Sequence, residues 1–140
     1  MPFQTRRRVE FANTDAAGIV HFAAFFLWME SAEHEALRDV GVEILPQGAD
    51  AVTWPRVSVQ CDYHAAARFE DWLWIDVSVS KIGRSSVEYK LEFSRESEDG
   101  SRAKIATGRT TSVCCHLREG GGLEKVPIPA PIRQRLEKLS

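Results

Sequence analysis

Hydrophobic positions along the chain follow two periods, and the switch between them marks out the elements. Between Phe22 and Val40 the apolar residues Phe25, Phe26, Met29, Ala32, Ala36, Leu37 and Val40 recur at i, i+3, i+4 and i+7, which is one face of a helix. Arg38 in the last turn and Gly41 just beyond it supply the stop signal. About 18 residues at about 1.5 Å each give a rod of about 27 Å, enough to cross a small sheet from edge to edge. Elsewhere the period is two. Thr5–Phe11 is expected to be a first strand with Val9 and Phe11 inward, broken by Asn13-Thr14-Asp15. Arg56–Tyr63 sets Val57, Val59, Cys61 and Tyr63 against Arg56, Ser58, Gln60 and Asp62, the pattern of a half-buried strand. Trp72–Ile82 repeats it, Gly83-Arg84-Ser85 forms a hairpin, and Val87, Tyr89, Leu91 and Phe93 lie on the returning strand. After the polar turn Glu96–Ser101, Ala103–Leu117 reads as one long last strand, with Gly108 as the bulge that lets it bend. These three strands form a meander. Glu43–Thr53, with Pro46 and Gly48, is a loop; Gly120-Gly121-Gly122 and prolines 127, 129 and 131 are further breaks. Pro131 opens a short, peripheral helix ending near Leu139. The class is α+β, a single domain over residues 1–140, with one buried helix against one face of an antiparallel sheet.

Charge narrows the function. Eighteen basic and twenty acidic side chains give a formal charge of −2, with no basic stripe beyond Arg6-Arg7-Arg8, so nucleic acid is not an expected partner. Three cysteines, two of them adjacent at Cys114-Cys115, form neither a disulfide framework nor a CxxC pair; they read as small buried hydrophobes in a reducing compartment. Arg6-Arg7-Arg8 followed by Phe22–Met29 imitates an export signal, but Glu10, Asp15 and His21 interrupt it. The apolar run also falls short of the ~20 residues that span a bilayer. A cytoplasmic protein without a membrane span is expected.

The stretch Asp15-Ala16-Ala17-Gly18-Ile19-Val20-His21-Phe22, preceded by Val9-Glu10-Phe11 and followed by an aromatic-rich helix, resembles the 4-hydroxybenzoyl-CoA thioesterase family of the hotdog fold. The likeness extends to Trp54-Pro55 and to the hairpin Lys81-Ile82-Gly83-Arg84-Ser85-Ser86, covering roughly residues 5–117. It implies one long central helix wrapped by a curved antiparallel five-stranded sheet, and a homodimer whose sheets join edge to edge, often a dimer of dimers. It also implies hydrolysis of an acyl-CoA thioester without metal or cofactor, coenzyme A being part of the substrate. The chemistry is physically reasonable. A thioester needs a nucleophile or activated water at its carbon and hydrogen-bond donors at its oxygen. A carboxylate before a helix start supplies the first, and the free N–H groups of that start supply the second. By the family pattern Asp15 is nucleophile or general base and the backbone N–H of Phe22 is the oxyanion donor, contributing roughly 3–4 kcal/mol. Gly18 allows the tight backbone between them. One branch of the family has a tyrosine four residues before the aspartate and a histidine seven after it; here those positions are Phe11 and Phe22, with His21 one place earlier. The branch acting on aromatic acyl groups carries an aromatic residue at the Phe22 position, and this chain resembles it.

Each assignment has a plainer rival. Asp15 could cap the helix instead, unless Asn13 or Thr14 does so; His21 could be a packed or pore-lining residue rather than an assistant in catalysis. Glu30 is a candidate for reaching the acyl pocket, against the expectation that Glu30 and Glu33 form a solvated helix face. By resemblance Lys81, Arg84 and Ser85 meet the substrate's CoA moiety, Arg84 and Lys81 at its phosphates, or else form a charged hairpin tip. Trp54, Trp72 and Trp74 read as packing or interface residues. His34, His64 and His116 lack metal-site spacing. The rival function is a non-catalytic acyl-thioester binder or interaction subunit; a hydratase or dehydratase is disfavoured.

Overall fold

The computed structural model describes residues 1–140. Its elements are β1 (Phe3–Arg8), α1 (Phe22–Asp39), β2 (Arg56–Tyr63), β3 (Trp72–Ile82), β4 (Ser86–Glu96), β5 (Arg102–Val113), β6 (Cys115–Leu117), β7 (Leu123–Lys125) and α2 (Ala130–Glu137). The first five strands form one antiparallel sheet in the order β1-β3-β4-β5-β2, so β1 and β2 are its edges. Strands β6 and β7 make a separate ribbon. Inward residues Leu73, Ile75, Val77, Val87, Leu91 and Phe93 are fully buried, and α1 meets them with Phe25, Trp28, Met29, Ala32 and Ala36. This is the hotdog fold, α+β, with the long helix on the concave face. No helix is long and apolar enough to cross a membrane.

Several boundaries differ from the sequence pattern, each for a local reason. β1 ends at Arg8; Val9 is still buried, its N–H bonded to Asp71 O, but Phe11 enters a short 3-10 turn and is 77% exposed. Asn13 Oδ1 accepts from Glu10 N–H at 2.8 Å and turns the chain before Phe11 can face inward. Strand β2 is an edge strand with Val57, Val59 and Tyr63 exposed, rather than half-buried. A bulge between Arg56 and Ser58 shifts its register, so Arg56 shares a face with Val59, Cys61 and Tyr63. Gly108 is not a bulge. It pairs regularly with Cys61 and Leu91, and a Cβ there would lie 2.6 Å from Met29 Cε, so the glycine leaves the Met29 side chain its room beneath α1. The last long strand breaks at Cys114, whose N–H is taken by Ser85 O, and the chain resumes as β6 paired with β7, which composition marked as loop. Nor is α2 peripheral: Leu136 within it and Leu139 just beyond are buried in the main core.

Candidate functional site

The loop before α1 is shaped by its own hydrogen bonds. Asp15 N–H donates to Ile19 O at 2.9 Å and Gly18 N–H to Asp15 O at 3.0 Å, closing a tight turn in which Gly18 has φ +79°. That backbone conformation suits glycine alone among common residues. Asp15 Oδ1 accepts the Ala17 N–H at 2.8 Å, which leaves the second carboxylate oxygen without a partner in the chain. Val20 N–H donates to Ala67 O, and Ile19 bridges to Arg68, so the turn is fastened to the segment after β2. The helix cap is His21: its Nδ1 accepts the Ala23 N–H at 3.1 Å and its ring stacks on Phe22 at 4.6 Å. Neither Asp15, Asn13 nor Thr14 performs that task. The Phe22 N–H, first of the helix, donates to no group of the chain.

Asp15, Ile19, Val20, Phe22, Phe25, Tyr63 and residues 64–67 line one open cavity of about 360 Å³. Its walls are mostly apolar. Tyr63 Oη donates to Phe22 O at 3.0 Å, and its ring meets Phe25 edge-on at 5.2 Å. Loss of surrounding solvent, with Cys61 nearby, pushes the phenol up to about 12, so Tyr63 stays a neutral donor. Burial likewise raises the Cys61 thiol. His64 Nε2 lies 3.1 Å from Thr107 Oγ1. Sequence reasoning placed Tyr63 on the inner face of β2 but gave it no role. Nothing along the chain signals that the end of β2 returns beneath the start of α1.

Glu30 does not line the Asp15 cavity. It borders a second opening of about 190 Å³ with Glu33, His34, Trp54, Arg56 and Tyr89. Glu33 is not a solvated helix residue: it is 5% exposed and takes a bidentate pair from Arg56 at 2.7 and 2.9 Å, with Thr110 Oγ1 donating at 3.1 Å. Hydrogen bonding to Glu33 raises the Arg56 guanidinium further, and burial beside Glu33 raises the Tyr89 phenol. Lys81, Arg84 and Ser85 lie at the far end of β3 from Trp72, about 33 Å of strand from the Asp15 end at about 3.3 Å per residue. The carbonyls of Gly83 and Arg84 anchor that hairpin to Arg133 and the Ile128 N–H. Trp72 and Trp74 stack with Arg6 and Arg102 on the outer sheet face, and Trp54 lines the second opening. No three His, Cys, Asp or Glu side chains converge as a metal site would require.

The profile of the thioesterase superfamily matches residues 17–101. The chain belongs to this superfamily. A 1,4-dihydroxy-2-naphthoyl-CoA hydrolase from Synechococcus sp. (strain CC9311) is 32% identical over 143 residues, covering 96% of this chain and 88% of that protein. A 1,4-dihydroxy-2-naphthoyl-CoA thioesterase from Synechocystis superposes with a TM-score of 0.83 at 25% identity, covering 99% of this chain and 98% of that one. The 4-hydroxybenzoyl-CoA thioesterase from Pseudomonas sp. strain CBS-3 has a TM-score of 0.81 at 21% identity over 96% and 98% of the two chains, a likeness of fold. This thioesterase is a hydrolase acting on thioester bonds. Its two openings lie at opposite ends of β2, the mostly apolar Asp15 cavity by Tyr63 and the charged Glu33 opening by Arg56.

Proposed function

We propose that the protein hydrolyses small aromatic acyl-CoA thioesters, with Asp15 as nucleophile or general base and the Phe22 N–H as oxyanion donor. The observation that carries this reading is the pairing, in one apolar cavity, of an aspartate with a free carboxylate oxygen and a helix whose first N–H is unclaimed. Attack at the carbonyl carbon develops charge on its oxygen, where a helix N-terminal N–H and the helix dipole stabilise it. Collapse then expels the thiolate of coenzyme A. If Asp15 attacks, water cleaves the resulting acyl anhydride; if it acts as base, it takes the proton of the attacking water and the acid forms directly. Phe22, Phe25, Ile19 and Val20 offer an apolar bed for a ring, in keeping with the naphthoyl-CoA substrates named for the relatives. His21 serves the reaction by capping and stacking at the Phe22 turn, and Gly18 by its backbone. Because Lys81, Arg84 and Ser85 lie at the Arg56 end of the sheet, they meet CoA phosphates only across an assembly that brings a second protomer's hairpin to the Asp15 end.

The test is thiol release over aromatic, short and long acyl-CoAs, followed by Asp15→Asn on the best ester. That variant keeps the side-chain oxygen that accepts from Ala17 and removes the charge. Folding should be little affected, turnover should fall by about 10²–10⁴-fold, and binding of the intact ester should persist or tighten. A folded Asp15→Asn protein that turns over near the parental rate would leave only a binding or structural role for this turn.

A further inference from the structure

The Phe22 N–H stands at an exposed end of α1. The first turn of a helix lacks intrahelical partners for its N–H groups and opens readily, and Phe22 itself is 63% exposed. An oxyanion donor is effective only when it is already aimed as charge develops, so this turn has to be held from outside. The peptide unit between Phe22 and Ala23 is gripped by side chains at both ends. Its N–H donates to His21 Nδ1 at 3.1 Å, and its carbonyl oxygen accepts from Tyr63 Oη at 3.0 Å. The preceding unit, which carries the Phe22 N–H, is held where His21 O accepts the Ala24 N–H at 2.9 Å. Peptide units are planar, so fixing these two planes fixes the rotation at Phe22 and the direction of its N–H.

Of the two side chains, His21 belongs to the turn it caps and moves with it. Tyr63 does not. It closes β2, paired with Ala106 of β5, and its ring meets Phe25 edge-on at 5.2 Å. Phe25 is buried and meets Phe93 of β4 at 5.2 Å in turn, so the phenol is braced against the core of the sheet. A donor carried on a packed strand keeps its place where one carried on the turn would drift. With the phenol pushed up to about 12, chiefly by loss of solvent, the O–H keeps its proton throughout the neutral range. The ring walls the Asp15 cavity, yet its proton is committed to Phe22 O rather than to a ligand.

We propose that Tyr63 is a positioning residue for the hydrolysis: by its bond to Phe22 O it ties the first turn of α1 to the sheet and keeps the Phe22 N–H aimed at the thioester oxygen. This rests on the reading of Asp15 and the Phe22 N–H as the reacting site. The experiment is Tyr63→Phe, which keeps the ring and its contact with Phe25 and removes only the O–H. On the best ester kcat should fall by about 10- to 100-fold with KM nearly unchanged, and the pH profile should keep its shape, because no proton passes through Tyr63. Two further measurements separate aim from stability. The Ala23 amide should exchange with solvent about 10-fold faster, while the amides of Ala32 and Ala36 in the middle of α1 exchange at the parental rate. A CoA thioether bearing a trifluoromethyl ketone, which forms a tetrahedral oxyanion on taking up a carboxylate or water, should bind about 10-fold more weakly or worse. The same thioether without the ketone should bind as it does to the parent. These affinities do not depend on the folded fraction of a preparation. An unchanged kcat would overturn the proposal, as would a rise in KM alone, which would make Tyr63 a substrate contact. Faster exchange along all of α1, or equal weakening of both thioethers, would overturn it in favour of a purely structural role. A parent that releases thiol from no ester would overturn the thioesterase reading and this one together; an active parent with an unimpaired Tyr63→Phe variant overturns this one alone.

Discussion

Asp15 owes its availability to His21. A helix start needs an acceptor for its free N–H groups, and an aspartate or asparagine just upstream is the usual source. Here the imidazole of His21 takes the Ala23 N–H, Asn13 is occupied with Glu10, and the Asp15 carboxylate is held by its own turn through Ala17. The sequence made Asp15 conspicuous but left its capping role open, because spacing alone cannot tell which of several acceptors the helix uses. At the same scale, the two tyrosines of the chain report on the two openings. Tyr63 is pushed up to about 12 and Tyr89 is raised as well, both chiefly by loss of solvent. A native phenol with a raised value keeps its proton where the unfolded one has lost it, so unfolding releases protons and stability falls as pH climbs from about 10 toward 12. An ultraviolet titration of the native protein should therefore show almost no phenolate at about pH 10, both tyrosines ionising there only after denaturant is added. A Tyr89→Phe protein whose remaining phenol titrates normally while folded would mean that Tyr63 is not shielded from solvent at the rim of the Asp15 cavity.

Among elements, the contact between α1 and β5 is close enough to favour one residue at one position. Gly108 leaves room for Met29, and an added Cβ would meet Cε at 2.6 Å and Sδ at 2.7 Å. Gly108→Ala should cost about 1–3 kcal/mol, and much of that cost should vanish when Met29 is also shortened to Ala. Denaturant midpoints for the double-mutant cycle measure the coupling; strictly additive losses would mean that the side chain moves aside and the glycine serves some other end. The helix itself was legible because its apolar positions keep one period through all five turns. The meander was legible because β3 and β4 alternate strictly between buried and half-exposed positions. Glu33 was not. It stands on the buried stripe with Met29, Ala32, Ala36 and Leu37, and a charge there reads as solvent-facing until Arg56 is known to lie across from it. Gly108 and α2 were misjudged for a related reason: a glycine in a strand and a short polar helix acquire their meaning from partners distant in sequence. β2 keeps its expected alternation from Ser58 to Tyr63, but nothing in the sequence marks the bulge that moves Arg56 to the other face, or the missing cover over Val57 and Val59.

At the scale of the whole molecule, that uncovered edge runs out to the rim of the Asp15 cavity at Tyr63. The Asp15 cavity is open, Tyr63 and Phe22 on its rim are exposed, and Val57 and Val59 continue the apolar surface along β2. One protomer thus holds an aspartate, an unclaimed N–H at a helix start and an open cavity beside them. Water would compete in so open a site, and electrostatic stabilisation of an oxyanion weakens where solvent has free access. A lysine is the residue natural sheets use to keep an edge unpaired, and Val59 lies near the middle of β2, where a two-fold axis would pass. Val59→Lys should give a monomer by sedimentation at concentrations where the parent is dimeric, with circular dichroism and the Asp15 turn retained. Its thiol release should fall by about 10²-fold or more, although Asp15, Gly18 and Phe22 are untouched. A monomer that hydrolyses its best ester at the parental rate would show that one protomer encloses the substrate unaided. A parent that is itself monomeric at micromolar concentration would remove the edge-to-edge arrangement, leaving Val57 and Val59 without a covering partner.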